Sequence, residues 1–194
     1  MTGGGSLDAA YFDGIFAKDD DPWGLASSDY EAAKFAQTRA VLADRRYASA
    51  FEVGCAHGVL TAQIVDLCDT LLAVDISHRA LALAQQRLGD RAQAVFRTMA
   101  FPREAPVGET FDLVILSEVI YYWDTGDLAR AADWLRENIA PGGRVILVHY
   151  TGATDYPQGG DAAVERLWNA IGRDFGVVRA ERHDRYRLDL WARR

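Results

Sequence analysis

Cysteine is scarce in this chain of 194 residues: Cys55 and Cys68 are its two thiols. Two are too few for a disulfide framework, and neither stands in a Cys-x-x-Cys or Cys/His pattern with metal-ligand spacing. Both are expected to be reduced, packed side chains, and no metal centre is expected. Long apolar runs are missing as well. No stretch approaches the roughly 20 residues that cross a bilayer, and Met1 to Asp8 lacks the basic start and apolar core of a secretory signal. These absences argue against a membrane role and for a cytoplasmic location. Positive charge is in deficit, with 21 Lys and Arg against 28 Asp and Glu, giving a net charge of -7 and a pI near 5.1. Such a surface opposes non-specific attraction to nucleic acid or anionic lipid, so RNA and DNA are not expected as substrates. Internal repeats are absent, and low complexity is confined to the first six residues, where Thr2-Gly3-Gly4-Gly5-Ser6 reads as a flexible lead-in.

What is present is ordinary for a globular protein: 49% hydrophobic and 25% charged residues, in a chain long enough for one sizeable core and short for two. One α/β domain is expected, divided into the lead-in (1–6), an N-terminal helical cap (7–48) and a core (49–194). Within the cap, Asp8 to Lys18 can form a short helix that the turn Asp19-Asp20-Asp21-Pro22-Trp23-Gly24 interrupts. Ser28 and Glu31 have the spacing of a capping box opening a helix through about Arg46. From Ala50 onward strand and helix patterns alternate, the signature of a parallel sheet. Strands are expected at Phe51 to Gly54, Leu71 to Asp75, near Ala94 to Arg97, Phe111 to Ser117 and Arg144 to Tyr150. Helices are expected at Val59 to Leu67, after a Ser77 cap, at Asp127 to Asn138 and at about Gly160 to Gly172. Val177 to Arg182 and Tyr186 to Trp191 read as a terminal hairpin, bringing the sheet to seven strands, mostly parallel, with helices on both faces.

The most telling segment is Glu52-Val53-Gly54-Cys55-Ala56-His57-Gly58. A buried strand runs into a turn whose glycines let the backbone bend sharply and approach a ligand, and an apolar helix follows. Asp75 ends the next strand roughly 20 residues beyond Gly54, the offset at which a carboxylate reaches ribose hydroxyls. A nicotinamide-type loop would read G-x-G-x-x-G, but Ala56 takes the second glycine position and Gly58 follows it by two residues. The loop instead resembles the E-x-G-x-x-x-G of class I S-adenosylmethionine-dependent methyltransferases.

In an open α/β sheet, ligands bind beyond the carboxyl ends of the strands. Those positions hold Ser117-Glu118-Val119-Ile120-Tyr121-Tyr122-Trp123 after the fourth expected strand and His149-Tyr150 at the end of the fifth. Glu118 is placed to accept a hydrogen bond from a substrate ammonium or to take its proton; the alternative is a structural carboxylate bonding a neighbouring loop. Tyr121, Tyr122 and Trp123 cannot all face one core, so at least one should line a cleft, although core packing explains any single ring. His57 and His149 are read as positioning groups rather than bases, since no spacing pairs either with a carboxylate. The Asp19-Asp20-Asp21 run reads as a solvated turn, and Trp23 either folds over a ligand or packs on the helix after Ser28.

Taken together, Asp20-Asp21-Pro22-Trp23, the glycine loop with Thr61, Glu118-Val119-Ile120-Tyr121-Tyr122 and Ala140-Pro141-Gly142-Gly143 resemble the nodulation protein S family over about Asp20 to Val148. Its members are S-adenosylmethionine-dependent N-methyltransferases acting on the free amine of a partly deacetylated chitooligosaccharide. The resemblance implies a class I methyltransferase domain and S-adenosylmethionine as cofactor, leaving as S-adenosylhomocysteine. It assigns Gly54, Ala56 and Gly58 to the methionine portion and Asp75 to the ribose, with Cys55 and Ile76 among the expected cofactor-binding residues. Trp23 and Ser117 complete the expected cofactor set. Where many such enzymes place an acid near adenine, this chain has Thr98-Met99-Ala100; Met99 can pack on the ring while the Ala100 N–H donates to it. The expected catalytic residues are Glu118, Tyr121 and Tyr122, with Glu118, Tyr122, His149 and Tyr150 toward a small-molecule acceptor, an amino sugar, bound beside Glu118 under the Pro22-Trp23 cap. An O-methyltransferase, a non-catalytic cofactor-binding module and a nicotinamide oxidoreductase are the competing readings.

Overall fold

The alternation of strand and helix read from Ala50 onward is realised in a computed structural model of the chain, which describes residues 5–194. Seven strands form a sheet in the order β3-β2-β1-β4-β5-β7-β6, where β1 is Tyr47–Val53, β2 Cys68–Asp75, β3 Ala94–Thr98, β4 Phe111–Ser117, β5 Ile139–Tyr150, β6 Phe175–Arg182 and β7 Tyr186–Arg193. The described residues resolve into two compact units: Asp8–Met99, and Ala100–Arg194 together with residues 5–7.

In the first unit β2 pairs in parallel with both β1 and β3, with Val74 opposite Val53 and Asp75 opposite Thr98. Leu71, Ala73 and Val74 are fully buried, the near-continuous apolar run of a strand covered on both faces. β1 starts at Tyr47, ahead of the expected Phe51 and inside the expected helical cap, because exposed Ala48 and half-buried Ser49 hide the strand from a hydrophobicity reading. The helices are α1 (Ala9–Phe16), α2 (Asp29–Leu42), α3 (Val59–Ile64, continued as one 3-10 turn through Leu67) and α4 (His78–Leu88). On α4, Ala80, Leu81, Ala84 and Leu88 are buried at helical spacing, and the Ser77 hydroxyl caps the start by accepting from the Ala80 N–H at 3.3 Å. The capping box expected before α2 does not form. Ser28 occupies the cap position without a side-chain cap bond; its N–H donates to the Gly24 carbonyl at 2.9 Å, and Glu31 turns to the buried Lys34 ammonium at 2.8 Å.

In the second unit β4 and β5 are parallel, β7 runs antiparallel to β5, and β6 antiparallel to β7, so the expected terminal hairpin is present. β5 begins at Ile139 rather than at Arg144. The Pro141-Gly142-Gly143 stretch is taken up as a bulge between the pairs Phe111 with Ile139 and Leu113 with Arg144. The two helices are α5 (Thr125–Asn138) and α6 (Gly160–Ile171). α5 starts two residues before the expected Asp127, since Asp124 supplies the cap by accepting from the Asp127 N–H at 2.8 Å. Most of the expected lead-in lies outside the described residues, but Ser6 at its end is fastened. Its hydroxyl donates to Asp127 at 2.5 Å and accepts from the Asp124 N–H at 2.8 Å. Among the described residues, no helix is long and apolar enough to cross a membrane.

Candidate active site

The glycine loop is built on three left-handed residues, Gly54 (φ 71°), Ala56 (φ 49°) and Gly58 (φ 78°). Two of them are glycines, which adopt that region freely, while Ala56 holds it against its own Cβ. Gly54 and Cys55 both donate to the Val74 carbonyl, at 2.8 and 3.0 Å, which folds the loop back over the end of β2. There the Asp75 carboxylate accepts from the Ala56 N–H at 2.9 Å and from the Ser77 N–H at 2.8 Å. Asp75 therefore ties the loop to the start of α4. Burial lifts its pKa to about 6, against the opposing effect of those N–H donors, so at neutral pH the carboxylate is mostly ionised. A carboxylate offers about four acceptor sites, and the N–H groups of Ala56, Ser77 and Ile76 take up most of them.

Beneath the loop lies Glu52, part of the loop motif but given no role by the sequence. Burial pushes its pKa up to about 8 although the Thr61 hydroxyl beside it works the other way, and Oε2 has no hydrogen-bond partner. A buried carboxyl with an unanswered oxygen fits a polar ligand group above it. Gly58 answers a different demand from the expected one. A Cβ there would lie 3.0 Å from the Ala84 Cβ and 3.1 Å from its Cα, so the glycine is required by the approach of α4 as well as by its φ. Ile76 and Met99 are half-buried beside Asp75, and the Met99 N–H donates to the Asp75 carbonyl at 3.0 Å. Cys55 is buried with its thiol pKa pushed upward, an inert packing role that leaves only its backbone for a ligand.

The segment between α1 and α2 is more ordered than a solvated acidic turn. Asp21 accepts from the Ala26 N–H at 3.2 Å and the Ser27 hydroxyl at 3.0 Å, and lies 3.3 Å from Nε2 of the buried His57. Asp20 pairs with Arg79 of α4 at 2.8 Å, and Asp13 of α1 accepts from the Ser77 hydroxyl at 2.6 Å. Asp21 and Asp20 thus fasten this strap to the loop and to α4, and Asp13 ties α1 to the start of α4. Trp23 meets Phe16 edge-on at 5.5 Å, and Phe16 in turn meets His57 at 6.4 Å. His57 is buried, and that burial holds its pKa below the usual value.

In the second unit Glu118 follows β4 with φ 55°, a left-handed conformation unusual for a non-glycine residue. Its N–H donates to the Val148 carbonyl at 2.8 Å, while Oε2 accepts from the Tyr121 hydroxyl at 2.7 Å and the Tyr150 N–H at 2.9 Å. Glu118 thus bonds its neighbours on both sides, and these bonds fix its orientation. Tyr121 and Tyr122 stand edge to face at 4.7 Å, both phenols held protonated by burial and by neighbouring hydroxyls and carboxylate. Trp123 is buried against Phe101. His149, expected toward the acceptor, is fully buried, and its Nε2 accepts from the Ile120 N–H at 3.3 Å. The Ala100 N–H, expected as a donor to adenine, is occupied by Glu104 at 2.9 Å. Ser117 and Tyr150 are half-buried at the ends of β4 and β5.

The model of the nodulation protein S (NodS) family matches residues 16–150. The chain belongs to the nodulation protein S family. It is 38% identical over 104 residues to nodulation protein S of Bradyrhizobium diazoefficiens, covering 53% of this chain and 49% of the relative. It is 33% identical over 132 residues to that of Rhizobium tropici, covering 66% and 54%. The chain thus spans about half the length of the curated relatives it matches. Among solved structures it is similar to the N-methyltransferase NodS of Bradyrhizobium japonicum in complex with S-adenosyl-L-homocysteine, with a TM-score of 0.79 at 22% identity, covering 95% of this chain and 97% of that one. The fold is that of the class I methyltransferases. The NodS match ends at Tyr150, and two residues just beyond it, Tyr156 and Gln158, were passed over in the sequence. Tyr156 stacks on Tyr121 with centroids 5.3 Å apart, and Gln158 donates to the Trp123 carbonyl at 2.7 Å. Their only sequence signal was an aromatic residue beside a proline in a loop.

Proposed function

We propose that this NodS-family chain binds S-adenosylmethionine and transfers its methyl group to an amine on a sugar or sugar-like molecule. The observation that carries the reading is Asp75, a buried carboxylate at the end of β2 braced by the Ala56 and Ser77 N–H groups of the loop and the start of α4. Asp75, with Ile76 beside it, would hold the ribose; Gly54, Ala56 and Gly58 would leave room for the methionine portion; Met99 would pack on the adenine. When bound, the cofactor supplies a methyl group on a sulfonium, an already activated leaving group. The protein's task is then to hold the nucleophile in line, which is worth up to about 7–11 kcal/mol in well-oriented systems.

An amine attacks only when unprotonated, which gives Glu118 its role: a carboxylate fixed by Tyr121 and Tyr150 that accepts a hydrogen bond from the acceptor ammonium or takes its proton. The strained φ of Glu118 supports a functional reason for its placement. Tyr122 and Tyr150 offer flat faces against which a sugar ring can pack. An acidic protein suits a cationic acceptor.

The cofactor half of the reading is tested by titration calorimetry with S-adenosylhomocysteine. Asp75→Ala is expected to weaken binding by about 1–3 kcal/mol, because the ribose hydroxyls lose a charged acceptor in a desolvated place. An unchanged dissociation constant in a folded variant would remove Asp75 from the cofactor site.

A further inference from the structure

Residues 151–159 join β5 to α6 and hold Tyr156, whose ring is packed on both tyrosines that follow Glu118. It stacks on Tyr121 with centroids 5.3 Å and planes 16° apart, and meets Tyr122 at 4.7 Å and 71°. The loop that carries it is pinned on both sides. The Gln158 N–H donates to the Tyr121 carbonyl at 3.2 Å, its side-chain amide donates to the Trp123 carbonyl at 2.7 Å, and Arg166 of α6 holds its Oε1 at 2.6 Å. At the loop's ends, a Cβ on Gly152 would collide with the Tyr150 hydroxyl and one on Gly160 with the Tyr150 carbonyl. The loop is therefore shaped around the residue whose N–H holds Glu118.

Tyr156 is half-buried, so it adds less to the core than the fully buried rings do. Its stacking partner Tyr121 donates its hydroxyl to Glu118 at 2.7 Å. A phenol that must donate in one direction needs its ring plane fixed, and an offset-stacked neighbour fixes it. We propose that Tyr156 is a positioning residue for methyl transfer: by stacking on Tyr121 it keeps the Tyr121 phenol on Glu118, and so keeps the carboxylate in one orientation toward the acceptor. This rests on the reading of Glu118 given above.

Two measurements on the full chain test it. The first needs no acceptor. In protein saturated with S-adenosylhomocysteine and labelled with carbon-13 at glutamate carboxyls, the Glu118 resonance is identified by its absence from Glu118→Gln. Tyr156→Leu, which fills the volume without a flat face, is expected to displace that resonance, and Tyr156→Phe to restore it. The second uses S-adenosylmethionine and whichever member of an amino-sugar and hydroxyl acceptor panel turns over fastest. Tyr156→Leu should lower kcat by about 10- to 100-fold at unchanged KM for S-adenosylmethionine. Tyr156→Phe should recover most of this loss, and Tyr156→Leu should cost little more once Glu118→Gln is present, because both act through one carboxylate. Losses that multiply in the double variant, or a Glu118 resonance unmoved in Tyr156→Leu, would overturn the proposal. Wild-type turnover in Glu118→Gln would overturn the Glu118 reading together with it. An impaired Glu118→Gln beside an unimpaired Tyr156→Leu would overturn the role of Tyr156 alone.

Discussion

Glu52 stands in an environment that moves its carboxyl far from its usual chemistry. With a folded pKa of about 8 it binds a proton that the unfolded chain releases near the ordinary carboxylate pKa. Where the native state holds more protons than the unfolded state, stability falls as pH rises. The loss begins near the unfolded value, proceeds through neutral pH and is complete above about 8. It should amount to a few kcal/mol, because each pH unit between the unfolded and folded pKa values is worth about 1.4 kcal/mol. Glu52→Gln, neutral at every pH, is expected to match the wild-type melting temperature at pH 5 and exceed it at pH 9. Thermal unfolding across that range checks it, and parallel curves for the two proteins would show that Glu52 is not a buried neutral acid. Asp75 was legible from spacing alone, but its bracing of Ala56 and Ser77 was not, since a carboxylate's partners depend on how the loop folds back over β2.

At the scale of elements, the boundaries read from sequence hold where apolar runs are uninterrupted and drift where polar residues sit inside a strand. β4, Phe111–Ser117, falls where expected because five of its residues are buried in a strongly apolar run. β2 begins three residues before the expected Leu71, at Cys68, because Asp69 and Thr70 are exposed within it. Caps divide in the same way. Ser77 accepts from the Ala80 N–H and also donates to Asp13, whereas Ser28 makes no cap bond although its sequence context was the more suggestive of the two. The box is not completed: the Ser28 N–H donates to the Gly24 carbonyl, and Glu31 turns to the buried Lys34. Ser77→Ala is therefore expected to destabilise the protein by about 1–2 kcal/mol, and Ser28→Ala by less than about 0.5 kcal/mol. Urea titration of both variants checks the contrast; equal losses would contradict the assignment of caps. The Tyr156 loop escaped the sequence reading for a related reason: a loop has no period, and its hold on the Glu118 segment runs through backbone carbonyls that no spacing displays.

At the scale of the whole molecule, family membership and fold agree with the reading that began at the glycine loop. Asp75 ends β2, and Glu118 directly follows β4. What the sequence could not supply was the division of labour among its polar groups. His149 and Ala100 looked available and are engaged internally, while Asp20 and Asp21 looked solvated and bind Arg79 and approach His57. The central claim is methyl transfer to an amine. It is tested most directly by incubating the protein with S-adenosylmethionine carrying an isotopically labelled methyl group and a panel of amino sugars, with their N-acetylated and hydroxyl counterparts alongside. Products are then read by mass spectrometry. The account predicts label on the free amines and none on the acetylated counterparts, with loss of transfer in Asp75→Ala at low donor concentration. Label appearing only on hydroxyl acceptors, or on no acceptor while S-adenosylmethionine binds, would contradict it.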